Sequence, residues 1–147
     1  HASTGPARPA KMPPGMESPI HVLLTDDEPQ FVDSLARVLR RRGLEVSTAG
    51  DGPSALDIAA SSSPDVIVLD LKMPGMDGIE TLRRLRAAGC AAPVLLLTAW
   101  ADVHHAAAAL REGASDYLVK PCPVEELVTA IEDAHERATA ARLAHEA

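Results

Sequence analysis

The chain has 147 residues, a net charge of −7, an apolar fraction of 46% and three aromatic residues. That length suits one domain with a tail, built around an aliphatic core. The acidic balance is −9 once the first fifteen residues are set aside, and excludes broad electrostatic attraction to nucleic acid or to an anionic membrane surface.

In chain order, "HASTGPARPAKMPPGMESP" has no periodicity and little to bury, so residues 1–18 are expected to be a disordered, appended leader before a native start near Met16. From Ile20 the pattern becomes regular. "IHVLLTD" predicts a short buried strand, and "PQFVDSLARVLRRRG" an amphipathic helix with Phe31, Leu35, Val38 and Leu39 on one face and Gly43 as its breaker. "LEVSTAG" predicts a second strand and "PSALDIAASS" a second helix, with Pro53 in its first turn. "DVIVLDL" is the third strand, "GIETLRRLRAAG" the third helix and "APVLLLTAW" the fourth strand. "DVHHAAAALREG" predicts a fourth helix, "DYLVK" a fifth strand, and "PVEELVTAIEDAHERATAARLAHE" a last helix of about 36 Å. Val124, Leu127, Val128 and Ile131 can pack that helix on the sheet, whereas residues 139–147 read as a helical extension or a linker. Adjacent His104 and His105 read as surface residues facing different ways.

Cys90 and Cys122 form neither a disulfide framework nor a metal spacing, which suits reduced thiols. The apolar runs are strand-sized and no signal-peptide core is visible, so a soluble cytoplasmic protein with no membrane partner is expected.

Strands alternating with helices, and near-continuous apolar strands such as "VIVL" and "VLLL", predict an α/β fold: a doubly wound, five-stranded parallel sheet with five helices. Sites in such folds lie beyond the carboxyl ends of the strands. There the sequence places Asp26, Asp27 and Glu28 after strand one, Asp70 after strand three, Thr98 on strand four and Lys120 at the end of strand five. Clustered carboxylates raise one another's pKa unless a cation is present, and magnesium suits one or two carboxylates plus a phosphate. Asp70 is then a plausible nucleophile toward phosphorus, with Thr98 and Lys120 placed to bind its oxygens. Taken singly, each residue has a plainer reading: Asp27 or Glu28 as a cap of the first helix, Asp70 as a turn residue, Thr98 as a cap, Lys120 as a solvated strand end.

Four separated segments, "LLTDDE", "VLDLKMPGMDG", "LLLTA" and "YLVKP", resemble the receiver domain of two-component response regulators, over residues 19–138. The resemblance implies a flavodoxin-like sheet of order 2-1-3-4-5 in a bacterial, phosphorylation-controlled protein that is not an enzyme of metabolism. It implies that Asp70 accepts a phosphoryl group from a sensor histidine kinase or a phosphotransfer protein. Mg2+ would be held by Asp27, Asp70 and the backbone carbonyl of Lys72, with Asp26 acting through water. Thr98 and Tyr117 would form the switch pair, Lys120 would pair with the phosphoryl group, and the Lys120–Pro121 bond would be cis. Pro74 and Gly78 would shape the loop after Asp70, and Lys72 and Trp100 would flank the phosphoryl group and tune its lifetime. Cys122 stands where phenylalanine is common in the family. The face made by helix four, strand five and helix five would carry the message to an output domain or downstream protein. Homodimerisation through helices four and five is left open, and no direct nucleic-acid binding is expected.

Three other functions are compatible with this topology. A constitutive interaction module is disfavoured by the intact acids, Thr98 and Lys120. An aspartyl-phosphate phosphatase is disfavoured because Asp70-Leu71-Lys72 lacks the second acid of D-x-D-x-T, and a flavin domain because no phosphate loop follows strand one.

Overall fold

The computed structural model describes residues 18–146, so nearly all of the predicted leader lies outside the described residues. Five parallel strands, β1 (His21–Thr25), β2 (Glu45–Ala49), β3 (Val66–Leu69), β4 (Val94–Ala99) and β5 (Asp116–Lys120), form one sheet of order β2-β1-β3-β4-β5. Between them run α1 (Pro29–Arg41), α2 (Gly52–Ser62), α3 (Gly78–Ala87) and α4 (Ala106–Arg111), and α5 (Val124–Glu146) closes the fold. The five-stranded parallel sheet is what the alternation of apolar runs predicts, and its strand order is the one that the receiver resemblance implies.

Side chains alternate across each strand and build one apolar layer on each face of the sheet. Leu23, Ile67, Leu69 and Leu96 meet α2, α3 and α4 through Ala55, Ala59, Leu82, Leu85, Ala106 and Ala109. Val22, Leu24, Val66, Val68, Leu95 and Leu97 meet α1 and α5 through Val32, Ala36, Leu39, Leu127, Ile131 and Ala134. β3 is buried at all four positions, which fixes the sheet's centre and makes the residue after it, Asp70, a central one.

Local chemistry sets the boundaries. Asp51 Oδ1 accepts from the Ser54 N–H at 2.8 Å and Asp77 Oδ1 from the Glu80 N–H at 2.9 Å, capping α2 and α3. Gly43 takes φ +88° just after α1, a left-handed conformation that other residues adopt only with strain.

The fourth helical segment differs from its expectation. Trp100–His105 winds as a 3₁₀ segment, and the α-helix begins only at Ala106. Val103 and the two histidines are weaker α-formers than the alanine run that follows, and 3₁₀ turns are common at helix starts. His104 and His105 are exposed as expected, but their rings lie 4.0 Å apart rather than facing separate ways. α5 keeps its helical path to Glu146, with its last fully buried side chain at Ala134.

Candidate functional site

β1 and β3 are neighbours in the sheet and stop together, Thr25 opposite Leu69, so the acids following them emerge side by side. Carboxylate oxygens of Asp26, Asp27 and Asp70 all lie within 4.8 Å of one another. Asp26 and Asp70 are buried while Asp27 is exposed, which gives the cluster a closed floor and an open side.

Lys120 reaches the same floor from β5. Its ammonium donates to Asp26 Oδ2 at 2.6 Å and lies 3.6 Å from Asp70 Oδ2 and 3.9 Å from Glu28 Oε1. It also sits 4.5 Å from the centre of the Phe31 ring, so an aromatic face on α1 supports a charge presented from β5. Burial alone would push the Lys120 ammonium down, but the Asp26 hydrogen bond and the Asp70 charge outweigh it and its pKa is raised. The side chain is 18% exposed, so the solvated strand end of the plainer reading is not what the structure shows.

Asp70 stands at about 6 against an ordinary 3.8. Burial is the main cause; Lys120 opposes it, Asp26 reinforces it, and a hydrogen bond from the Lys72 N–H to Asp70 Oδ1 at 3.3 Å opposes it again. Asp26 Oδ1 accepts from the Glu28 N–H at 3.0 Å, and Glu28 itself starts α1 without a side-chain cap. Thr98 pairs with Val119 one rung before Ala99 meets Lys120, and its hydroxyl is fully buried with no hydrogen-bond partner. A buried, unpartnered hydroxyl is costly, so Thr98 is not acting as a cap. Tyr117 lies outward, about a third exposed, and Trp100 is 77% exposed. The Lys120–Pro121 peptide is cis.

The loop after Asp70 is held by the close approach of α3. A Cβ on Gly78 would run into the Asp70 carbonyl oxygen and come within 2.7 Å of Leu71 Cα, both of them backbone. Gly78→Ala is therefore expected to lower stability by about 1–3 kcal/mol, read from denaturant unfolding, and to displace Asp70.

Asp26, Asp27, Asp70 and Lys120, predicted from separate strand ends, thus come together at one rim. Sequence reasoning passed over Phe31 as a support for Lys120, having read it only as core. It also missed an ion pair of 3.4 Å between Lys72 Nζ and Asp102 Oδ1, which crosses from the loop after β3 to the 3₁₀ segment. The helical spacing of Phe31 carries no sign of either partner. Cys90 and Cys122 are free and half-buried, and burial together with Glu126 pushes the Cys122 thiol up, away from a reactive thiolate.

Three converging carboxylates in this pocket, two of them buried, suit a hard divalent cation with oxygen ligands. Fold and rim together define a doubly wound α/β domain with an acidic, lysine-bridged pocket at its carboxyl edge. Residues 22–132 match the response regulator receiver domain, and the chain belongs to that family. It is similar to the response regulator MprA of Mycolicibacterium vanbaalenii, 46% identical over 110 residues that make up 75% of this chain and 48% of that one. The transcriptional regulatory protein PrrA of Mycobacterium leprae is likewise 46% identical, over 82% of this chain and 51% of that one. The chain thus spans about half the length of the curated relatives it matches. Among solved structures, a response regulator receiver domain from Clostridium thermocellum superposes with a TM-score of 0.78 at 32% identity, covering 82% of this chain and 98% of that one. NtrX from Brucella abortus reaches 0.82 at 29% identity, covering 86% of this chain and 29% of that one. The chain thus carries the receiver domain of a two-component response regulator. Among the described residues no helix is long and apolar enough to cross a membrane.

Proposed function

We propose that Asp70 is the phosphoryl acceptor of this receiver, taking the group from a phosphohistidine on a sensor kinase or phosphotransfer protein. The observation that carries this reading is the convergence of three carboxylates and one ammonium around a buried Asp70, beside a threonine hydroxyl with no partner. An oxygen of ionised Asp70 attacks phosphorus as the nitrogen–phosphorus bond breaks, and the leaving imidazole keeps the electron pair. Asp27, Asp70 and the Lys72 carbonyl would hold magnesium, with Asp26 acting through water, and the bound ion would offset the carboxylates and the charge on the phosphoryl oxygens. Lys120 then has a new anion to bind besides Asp26, and the Thr98 hydroxyl gains an acceptor. Water attack on the same phosphorus would later return Asp70 and inorganic phosphate, so the only chemistry is the switch's own.

In this reading Thr98 moves toward the phosphoryl group, Tyr117 turns inward into the space it leaves, and the α4–β5–α5 face changes. Residues 19–138 form the receiver unit, and residues 139–147 the extension through which an output domain is joined. The relatives named as transcriptional regulators suggest an output in gene control, with any DNA contact made outside this acidic domain.

The test is intact mass after incubation with magnesium and acetyl phosphate, with Asp70→Asn in parallel. One added phosphoryl group in the wild type, absent from the variant and without magnesium, is expected; equal loading of the variant would overturn the assignment. Thr98→Val is expected to keep or slightly raise stability, because it deletes an unsatisfied buried hydroxyl. It should still load phosphate but lose the accompanying change at Tyr117, read by fluorescence or NMR.

A further inference from the structure

The Lys72–Asp102 pair joins the loop after β3 to the 3₁₀ segment after β4. Lys72 is rooted beside the acceptor, since its N–H donates to Asp70 Oδ1 at 3.3 Å. Its ammonium meets Asp102 Oδ1 at 3.4 Å. The two ends differ in setting: the Lys72 side chain is 73% exposed, while that of Asp102 is only 13% exposed. Asp102 lies inside the 3₁₀ segment Trp100–His105, between Thr98 and the start of α4. The contact is therefore a tether from the acceptor loop to a tightly wound stretch that a single rewinding step could alter.

We infer that Asp102 is a latch residue: its carboxylate holds the Lys72 ammonium off the acceptor and pins residues 100–105 in their 3₁₀ form until a phosphoryl group on Asp70 draws Lys72 away. This rests on Asp70 being the phosphoryl acceptor. A phosphoryl group brings close to two negative charges and several acceptor oxygens next to the root of Lys72, whereas Asp102 offers one charge. An exposed ammonium makes a weak pair, worth a factor of about two to five in an equilibrium, so the exchange needs little driving force. Release leaves Asp102 nearly buried without its cation, and rewinding of the segment lets it reach water. Lys72 is then a positioning and charge-binding residue for the acceptor, and Asp102 acts only through Lys72.

Trp100 is the chain's single tryptophan and opens the segment, so its emission reports the latch directly. The experiment compares wild type, Asp102→Asn, Lys72→Met, the double variant and the charge swap Lys72→Asp/Asp102→Lys, each with and without magnesium and acetyl phosphate. Trp100 emission and the decay of the phosphorylated mass are followed together. Asp102→Asn and Lys72→Met should both move the resting emission toward the phosphorylated value, and the charge swap should restore it. Asp102→Asn should lengthen the phosphoryl lifetime about two- to fivefold by removing the carboxylate that competes with the phosphoryl group for Lys72, and should have no such effect when Lys72 is already Met. A lifetime effect of Asp102→Asn that is equal in both backgrounds, or a resting emission blind to both single variants, would overturn the latch. A wild type that takes no phosphoryl group would instead overturn the acceptor reading and the exchange with it, a failure visible in the mass alone.

Discussion

Asp70→Asn is expected to be more stable than the wild type in metal-free buffer at neutral pH, by about 3 kcal/mol in denaturant unfolding, while accepting no phosphoryl group. The carboxyl of Asp70 stands at about 6 in the fold against 3.8 ordinarily, so folding disfavours its ionised form. With a raised pKa the native state binds the extra proton, and stability falls as pH rises from near 4 to near 6 and stays low above that. Asn cannot ionise, so this loss should be missing from the variant's pH profile. Millimolar magnesium should narrow the gap by stabilising the wild type alone, in line with preferential binding to the folded acidic cluster. A wild type that matches the variant at every pH would mean that Asp70 is better solvated than its burial indicates.

Lys120→Met is expected to have the opposite sign. It strips the ammonium from Asp26 Oδ2 and leaves a carboxylate that is only 2% exposed facing Asp70 with no nearby cation. Removing one partner of a buried pair usually costs about 3–5 kcal/mol, and the partial exposure of Lys120 brings this to about 2–4 kcal/mol. Phosphoryl loading should fall steeply, because the anion then lacks its fixed positive partner. Combined with Asp70→Asn, the stability cost should shrink, since one of the two stranded charges is gone. Equal costs in both backgrounds would show that Lys120 serves Asp26 alone.

The geometry behind these two results was only partly readable in the sequence. The apolar runs ending in Asp26, Asp70 and Lys120 carry the topology, because a parallel sheet puts every such end on one rim. Which charges pair on that rim depends on side-chain reach across the sheet order. Lys120 comes from an edge strand two places from β3, yet settles on Asp26, farther across, with Asp70 a full 1 Å more distant at 3.6 Å against 2.6 Å. No local pattern encodes that choice; Phe31, which supports the ammonium, reads only as an apolar helix position. The 3₁₀ winding of Trp100–His105 was hidden because "DVHHAAAAL" carries one helical pattern throughout, while the weaker α-formers of its first turn delay the α-helix to Ala106. Tyr117 shows the converse: its place on β5 follows from the strand pattern, while its outward, partly exposed ring is a property of the resting fold.

In the proposed function one residue, Asp70, carries the signal. The most direct measurement is reduction of the phosphorylated protein with borohydride, which converts an acyl phosphate to an alcohol, followed by peptide sequencing by mass spectrometry. Homoserine is expected at position 70 only, and only when magnesium was present during loading. Homoserine at Asp26 or Asp27, or a phosphoryl group found instead on Thr98 or a histidine, would contradict it.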